Sequence, residues 1–136
     1  MSVYERMATI FKALAHPVRL QILEILQQEG EACVCHLESI LGKRQAYISQ
    51  QLSKLRDAGL VVDRREGLNI FYALTEPDVG PLLEEAREHV AALAAAEGIH
   101  LAVDRPIYAP ARPCKCPRCE PALHIPGSDE TAMQAQ

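Results

Sequence analysis

No stretch of the 136-residue sequence approaches twenty consecutive apolar residues, the length that a membrane-spanning helix needs. The first residues, MSVYERMATIFKALAH, also lack the basic segment followed by an apolar segment that marks a secretory signal. Together these two absences predict a cytoplasmic protein that has no membrane partner. The length suits one domain with its own core and a tail, because two ordinary domains need a longer chain.

A glycine-rich phosphate loop and a cofactor motif are also missing, so we predict that the chain is not an enzyme. The enzymatic alternative is thiol-disulfide exchange by Cys33 with Cys35 or by Cys114 with Cys116. The chain has five cysteines, an odd number, and a reducing cytoplasm disfavours structural disulfides. Clustered cysteines in that compartment favour metal binding or redox chemistry instead.

The formal net charge of -4 disfavours nucleic acid as a partner when it is taken alone. The stretch between Leu41 and Leu68 differs from the whole chain, because it holds six basic residues against three acidic ones. A whole-chain charge can therefore hide a local basic surface.

Helical spacing of apolar residues is clearest in the first half of the chain. Apolar residues recur at this spacing over residues 3–15, and again from Pro17, which suits a first helical turn, until Gly30. The two-turn segment VCHLESIL then ends at Gly42, and RQAYISQQLSKLRDAGL carries its apolar residues on one face. Two helices joined by a short turn that contains glycine predict a helix-turn-helix.

The segments LVVDRRE and LNIFYAL are rich in valine, isoleucine and aromatic residues, and Glu66 and Gly67 separate them, which predicts a β-hairpin. A helix-turn-helix followed by a hairpin is a winged helix, so the predicted fold is mainly α with a small β-hairpin wing. Its polar helix face and hairpin tip would contact DNA bases and phosphates, unless that helix face is only a solvated surface. The predicted contacts are Arg44, Gln45, Ser49, Gln50, Ser53, Lys54, Arg64 and Arg65.

A further helix is predicted after Pro77, in DVGPLLEEAREHVAALAAAEG, which is acidic on one side and apolar on the other. One protomer leaves little core for this apolar side, so we predict a homodimer in which this helix and the first pack against their twofold mates. Past Gly98 six prolines exclude regular helix and sheet. The expected division is a DNA-binding and dimerisation domain over residues 1–98 and an irregular, partly disordered arm over residues 99–136.

Four segments, FKALAHPVRLQILEIL, CVCHL, YISQQLSKLRDAGLV and GLNIFYALT, occur in this order over about the first hundred residues. In this combination the chain resembles the ArsR/SmtB family of metal-sensing repressors. The resemblance implies a dimeric winged-helix repressor that holds operator DNA when metal-free and releases it when a thiophilic ion binds. It also implies a recognition helix over residues 45–58 with Gln45, Ser49 and Gln50 as base readers. Gln51 stands where members often carry histidine, which is expected to change DNA preference.

Family members that sense metal at the first helix of the motif often carry Cys-Val-Cys there, and Cys33-Val34-Cys35 stands at that place. Thiolates are soft ligands that favour Zn(II), Cd(II), Pb(II), Cu(I) or trivalent arsenic. Cysteines two apart on a regular helix diverge by about 200°, so the pair can bind one ion only if the start of the helix is unwound. Two thiols rarely complete a site, so further ligands are expected from elsewhere.

The arm supplies these ligands in RPCKCPRCEP, which contains Cys114, Cys116 and Cys119. We predict that the arm folds back, within a protomer or across the dimer, so that some of its thiols share one ion with Cys33 and Cys35. A set made only of thiols favours arsenite or antimonite first, and cadmium or lead next, over zinc. Two alternatives stay open: a redox or persulfide pair, and a separate zinc knuckle formed by the three arm cysteines with His124.

A last candidate is the zinc site that some relatives build from carboxylates and histidines of the last helix, across the dimer. Glu76, Asp78 and His89 fall at the matching places, but Ala92 stands where a fourth ligand is expected. Such residues on a helix are usually only solvated.

Overall fold

The computed structural model describes residues 1–108, within which the helix-turn-helix and the wing are both formed. Its elements in chain order are α1 (Val3–Leu14), α2 (Pro17–Glu29), β1 (Ala32–Cys33), α3 (Val34–Leu41), α4 (Gln45–Asp57), β2 (Val61–Glu66), β3 (Asn69–Leu74) and α5 (Gly80–Ala96). The predicted winged helix-turn-helix is confirmed. The arm residues Cys114, Cys116, Cys119 and His124 lie outside the described residues.

Local sequence sets the ends of the first helices. Ser2 Oγ accepts a hydrogen bond from the backbone N–H of Glu5, and the Glu5 carboxylate accepts one from the Ser2 N–H at 2.7 Å. Hydrogen bonding of the Glu5 carboxylate to the Ser2 backbone N–H first, and to the Ser2 side chain second, lowers the pKa of Glu5. At the start of α2, His16 Nδ1 accepts from the Val18 N–H at 3.3 Å, and Pro17 occupies the first turn. His16 is therefore a structural cap of α2.

The core lies where α2, α3 and α4 meet the sheet. The side chains with no exposed surface come from all three helices and are Ile22, Leu23, Ile25, Leu37, Ile48, Leu52 and Leu55. Helices α3 and α4 therefore pack directly against each other within one core.

The sheet has three antiparallel strands in the order β1-β3-β2. Strand β1 was not predicted, because two residues are too short to show alternation between a polar and an apolar face. Cys33 of β1 lies opposite Phe71 of β3, and Phe71 lies opposite Arg64 of β2. The segment before α3 is therefore a third strand of the wing sheet.

Helices α1 and α5 leave large apolar side chains uncovered in the described protomer. On α1, Val3, Met7 and Phe11 are 63%, 46% and 49% exposed, and on α5, Val90 and Leu93 are 47% and 53% exposed. None of the helices in residues 1–108 has the length and apolar character needed to cross a membrane.

The Leu52→Ala variant tests the described core against a surface leucine. Leu52 is fully buried, so its truncation is expected to lower the free energy of unfolding by about 2–5 kcal/mol through lost contacts and a residual cavity. Urea denaturation at fixed protein concentration measures this change. Leu68→Ala is the matched control, because Leu68 is fully exposed at the wing tip, and its effect is expected to stay within about 0.5 kcal/mol. Equal losses for the two variants would contradict the described packing.

Candidate functional site

One face of α4 presents polar side chains on a shallow concavity. Gln45 and Gln50 are exposed, and Ser49 and Ser53 are half-buried on the same side of the helix. The residues that line the concavity are Arg44, Ala46, Tyr47, Ser49, Gln50 and Ser53. Arg44 and Lys54 are exposed at the two ends of this face. Amide and hydroxyl groups flanked by cations can bond base edges and phosphates of a DNA major groove.

Gln51 does not belong to this face. Its side chain is only 4% exposed, and it lies on the buried side of α4 together with Leu52 and Leu55. The expectation that Gln51 changes DNA preference stays a prediction, and a buried amide at this position would act through the packing of α4 and not by touching a base.

The two wing arginines, predicted together as phosphate contacts, differ in their surroundings. Arg65 is exposed near the hairpin tip. Arg64 instead donates from Nε to Glu31 at 3.1 Å and from Nη1 to Glu66 at 3.0 Å, and its Nη2 forms a further ion pair with Glu31. Hydrogen bonds to Glu31 first and then to Glu66 raise the pKa of Arg64 further above its ordinary value. Arg64 is therefore already occupied by two carboxylates.

The structure brings the Cys33 and Cys35 sulfur atoms together. Their Sγ atoms are 2.7 Å apart, with Cys33 2% exposed and Cys35 half-buried. The backbone N–H of His36 donates to Cys33 Sγ at 3.3 Å. The Cys33 sulfur therefore accepts a backbone hydrogen bond at the start of α3.

The approach of the two sulfurs follows from the backbone before α3. Cys33 is the N-cap residue, with an extended φ of -85° and ψ of 165°, and the helix begins only at Val34. The pair therefore does not lie on a regular helix, and the divergence of about 200° does not arise. The condition that the start of the helix be unwound for both thiols to bind one ion is therefore met at Cys33.

The thiol pair belongs to a small apolar cluster apart from the main core. Cys33 and Phe71, which is 1% exposed, form this cluster with Cys35 packed against them. The neighbours in the other row of the sheet, Ala32 and Tyr72, belong to the main core. The thiol cluster and the main core therefore lie on opposite faces of the sheet.

Two thiols do not complete a metal site, and residues 1–108 hold no group of three or more His, Cys, Asp or Glu side chains arranged around one ion. A metal site that includes Cys33 and Cys35 would need further ligands from outside this set of residues.

Residues 101–108, which we call the strap, return from α5 to α2. Arg87 of α5 forms an ion pair with Glu24 of α2 and donates to the Val103 carbonyl at 2.7 Å. Tyr108 Oη donates to Glu24 at 3.1 Å. Burial raises the pKa of Tyr108, so its hydroxyl keeps the proton that it donates.

The strap ends beside the last turn of α2. Gln28 Nε2 donates to the Pro106 carbonyl at 2.8 Å, and Arg105 Nη1 donates to Gln27 Oε1 at 3.1 Å. On the same turn, Glu29 lies 3.9 Å from Nε2 of His36, in the first turn of α3. The strap and the first turn of α3 therefore both contact the C-terminal part of α2.

The residues of the alternative last-helix site do not come together within one protomer. Asp78 Oδ1 accepts from the Gly80 N–H at 2.7 Å, so this carboxylate supports the start of α5. Glu76 lies in the loop before that helix, and His89 lies exposed in its third turn. A site made from these three residues would need a second protomer.

Comparisons with known proteins agree with this architecture. The sequence model of the arsR family of bacterial regulatory proteins matches residues 16–62. An HTH-type transcriptional regulator of Mycobacterium tuberculosis, Rv0081, is 40% identical over 89 residues, which are 65% of this chain and 78% of that protein. Its crystal structure matches with a TM-score of 0.65 and 37% identity over 72% of this chain and 98% of that chain.

Two further solved structures are informative. The homodimeric winged helix-turn-helix domain of Mb0332 from Mycobacterium bovis matches with a TM-score of 0.59 and 35% identity, over 74% of this chain and 90% of that one. The antimony-specific transcriptional repressor AntR matches with a TM-score of 0.58 and 30% identity, over 70% of this chain and 83% of that one.

A winged helix with a polar recognition face defines a DNA-binding regulator rather than an enzyme. More narrowly, the chain belongs to the ArsR family of transcriptional repressors.

Two substitutions separate base reading from phosphate contact. Gln50→Ala is expected to weaken binding to a duplex that the wild type selects from a randomised library by about 1–3 kcal/mol, with little effect on an unrelated duplex. Arg44→Gln is expected to weaken binding to both duplexes and to reduce the salt slope by about one. Fluorescence anisotropy over a salt series measures both effects. If Gln50→Ala weakens both duplexes equally, the assignment of Gln50 as a base reader is wrong.

Proposed function

We propose that the chain is a repressor that releases operator DNA when a thiophilic ion binds the Cys33 and Cys35 thiolates. The observation that carries this proposal is the 2.7 Å approach of the two sulfurs at the start of the first helix of the helix-turn-helix. Two adjacent thiolates form a soft donor set for arsenite or antimonite first, and for cadmium or lead next. The likeness to an antimony-specific repressor supports this order of ions.

The DNA-binding form is a homodimer. Apolar side chains of α1 and α5 remain exposed in one protomer, and a second copy buries such faces by twofold pairing. A homodimeric relative of the same fold supports this assembly. The two α4 helices of the dimer then lie in successive major grooves of double-stranded operator DNA, about one helical turn apart.

Ion ligation acts on α3. The thiols lie at its N-terminal end, and α3 and α4 share one close-packed core, so a displacement at the thiols changes the position of the α4 reading face. A coupling of about 1–3 kcal/mol between ion and DNA binding weakens operator affinity by roughly 5- to 150-fold.

The Cys33→Ser/Cys35→Ser variant tests the thiol pair. We expect it to bind the selected duplex as the wild type does, because the pair lies away from the α4 reading face, and to keep that binding when ions are added. Anisotropy titrations with arsenite, antimonite, cadmium, lead and zinc, in a reductant without thiols, measure the release.

Release of the variant at wild-type ion concentrations would show that sensing lies elsewhere. A chelator-treated wild type that ignores all five ions but is released by peroxide or polysulfide would replace the ion by an oxidant or reactive sulfur species. If a Cys114→Ser/Cys116→Ser/Cys119→Ser variant responds to ions as the wild type does, the arm cysteines are not part of the sensor. They would then belong, with His124, to a separate zinc knuckle.

The remaining ligands come from the arm of the same protomer. The strap holds Pro106 at Gln28, in the last turn of α2, and Tyr108 at Glu24 and Gln28 of the same helix. Cys114 follows Tyr108 by six residues, which span about 20 Å when extended. This length of chain supports ligation by the arm of the same protomer.

Subunit mixing tests this within-protomer arrangement. A protomer that lacks Cys33 and Cys35 is paired with one that lacks Cys114, Cys116 and Cys119. Neither protomer then has both sets of thiols, so the mixed dimer is expected to bind no ion with wild-type affinity. Ion-to-thiolate absorbance on purified mixed dimers measures the number of sites.

The reciprocal control pairs a wild-type protomer with one in which all five cysteines are serine. The within-protomer arrangement predicts one complete site in this dimer and none in the first. An arrangement across the dimer gives the reverse result, one site in the first dimer and none in the control.

A further inference from the structure

The thiol pair is connected to the wing as well as to α3. Cys33, Phe71 and Arg64 are direct neighbours across β1, β3 and β2. Directly opposite residues of antiparallel strands project from the same face of a sheet, so these three side chains form one row. The row begins at the thiol pair and ends at a strand that carries a predicted phosphate contact, Arg65.

Arg64 is the last side chain of this row and lies on the edge strand β2. Its guanidinium carbon lies 4.9 Å from the centre of the Phe71 ring, a cation-π distance. The same guanidinium reaches past the ring to Glu31, which stands two residues before Cys33. Glu66, two residues along β2, holds it from the other side. Arg64 therefore joins the wing to the segment that carries the thiols by a side-chain contact in addition to the backbone pairing.

Arg65, the next residue of β2, lies in a different environment. Successive residues of a strand point to opposite faces, so Arg65 does not share the Phe71 row. Both side chains are exposed, but the two carboxylates and the ring direct Arg64 towards the thiol segment. A phosphate could recruit Arg64 only by displacing these carboxylates.

We propose that Arg64 is a positioning residue that couples the thiol pair to the wing, so that ligation at Cys33 moves the wing relative to DNA. This inference rests on the proposed function for the identity of the signal. Two links connect the thiol segment to the wing: the backbone pairing of β1 with β3, and the Arg64 bonds to Glu31. A displacement of Cys33 therefore also displaces β2. The wing and α4 then both move away from the positions in which they contact DNA.

The test compares Arg64→Gln with Arg65→Gln as a matched control. Arg64→Gln is expected to bind metal-free to the selected duplex within about twofold of the wild type, because an exposed ion pair contributes little by itself. Its ratio of metal-free to ion-bound DNA affinity is expected to fall well below the wild-type ratio of roughly 5 to 150. Arg65→Gln is expected to show the opposite pattern, with weaker metal-free binding and an unchanged ratio.

Two further variants separate coupling from a structural role. Glu31→Gln is expected to lower the ratio as Arg64→Gln does, and the double variant to lower it no further, since both remove the same link. Arg64→Lys keeps one charge but cannot bond both carboxylates in the same way, so its ratio is expected between the wild type and Arg64→Gln. A thermal melt of each variant checks that the fold is retained.

A second readout does not depend on the ion. Coupling between two sites is reciprocal, so DNA binding is expected to change the alkylation rate of the thiol pair. The rate is measured in a Cys114→Ser/Cys116→Ser/Cys119→Ser background, in which only Cys33 and Cys35 can react. Arg64→Gln is expected to remove the effect of DNA on this rate. If DNA has this effect while no ion releases the wild type, the proposed function fails and the coupling stands. If Arg64→Gln keeps both the wild-type affinity ratio and the DNA effect on alkylation, or behaves as Arg65→Gln does, the coupling is wrong.

Discussion

The antiparallel pairing of Cys33 with Phe71 is the constraint on which the candidate site depends. It holds Cys33 in an extended conformation, so α3 begins one residue later and Cys35 falls in its first turn. The two sulfurs then lie on the same side of the chain, in contact with Phe71 and away from the main core. Without this short strand, a regular helix through Cys33 would direct the thiols to opposite sides. The same pairing makes the thiol segment part of the wing sheet.

Neighbouring arginines of the DNA-facing region differ in the partners that their side chains have. In the DNA-facing region, Arg44, Lys54 and Arg65 are exposed, whereas Arg64 is held by two carboxylates and Arg56 pairs with Asp63 at 3.1 Å. Paired cations contribute little to a phosphate surface, because their charge is already partly compensated nearby. The local excess of positive charge between Leu41 and Leu68 therefore overstates the number of cations available to DNA.

Much of the fold could be predicted from the sequence because its signals are local. Pro17 and Gly30 mark the ends of α2, Gly42 ends α3, and the apolar spacing of α4 identifies Leu52 and Leu55 as buried. Strand β1 could not be predicted, since two residues carry no period and their pairing partner lies far along the chain. The burial of Gln51 was missed because a polar residue at a buried helical position has no distinguishing local pattern. The bond between Arg64 and Glu31 was also missed, because these residues are 33 positions apart and no local pattern connects them.

Three separate segments meet at the end of α2. The end of α2 leads to Cys33, the first turn of α3 lies against Glu29, and the strap ends at Gln28. The strap and the segment that carries the thiol pair are thus both anchored at the same helix. Under the proposed function, an ion with three or four soft ligands would join segments that belong to different elements, whereas a disulfide between Cys33 and Cys35 would join only neighbours within one segment. Ligation by several segments would then have a larger effect on the position of α3 and the wing than oxidation of the pair alone.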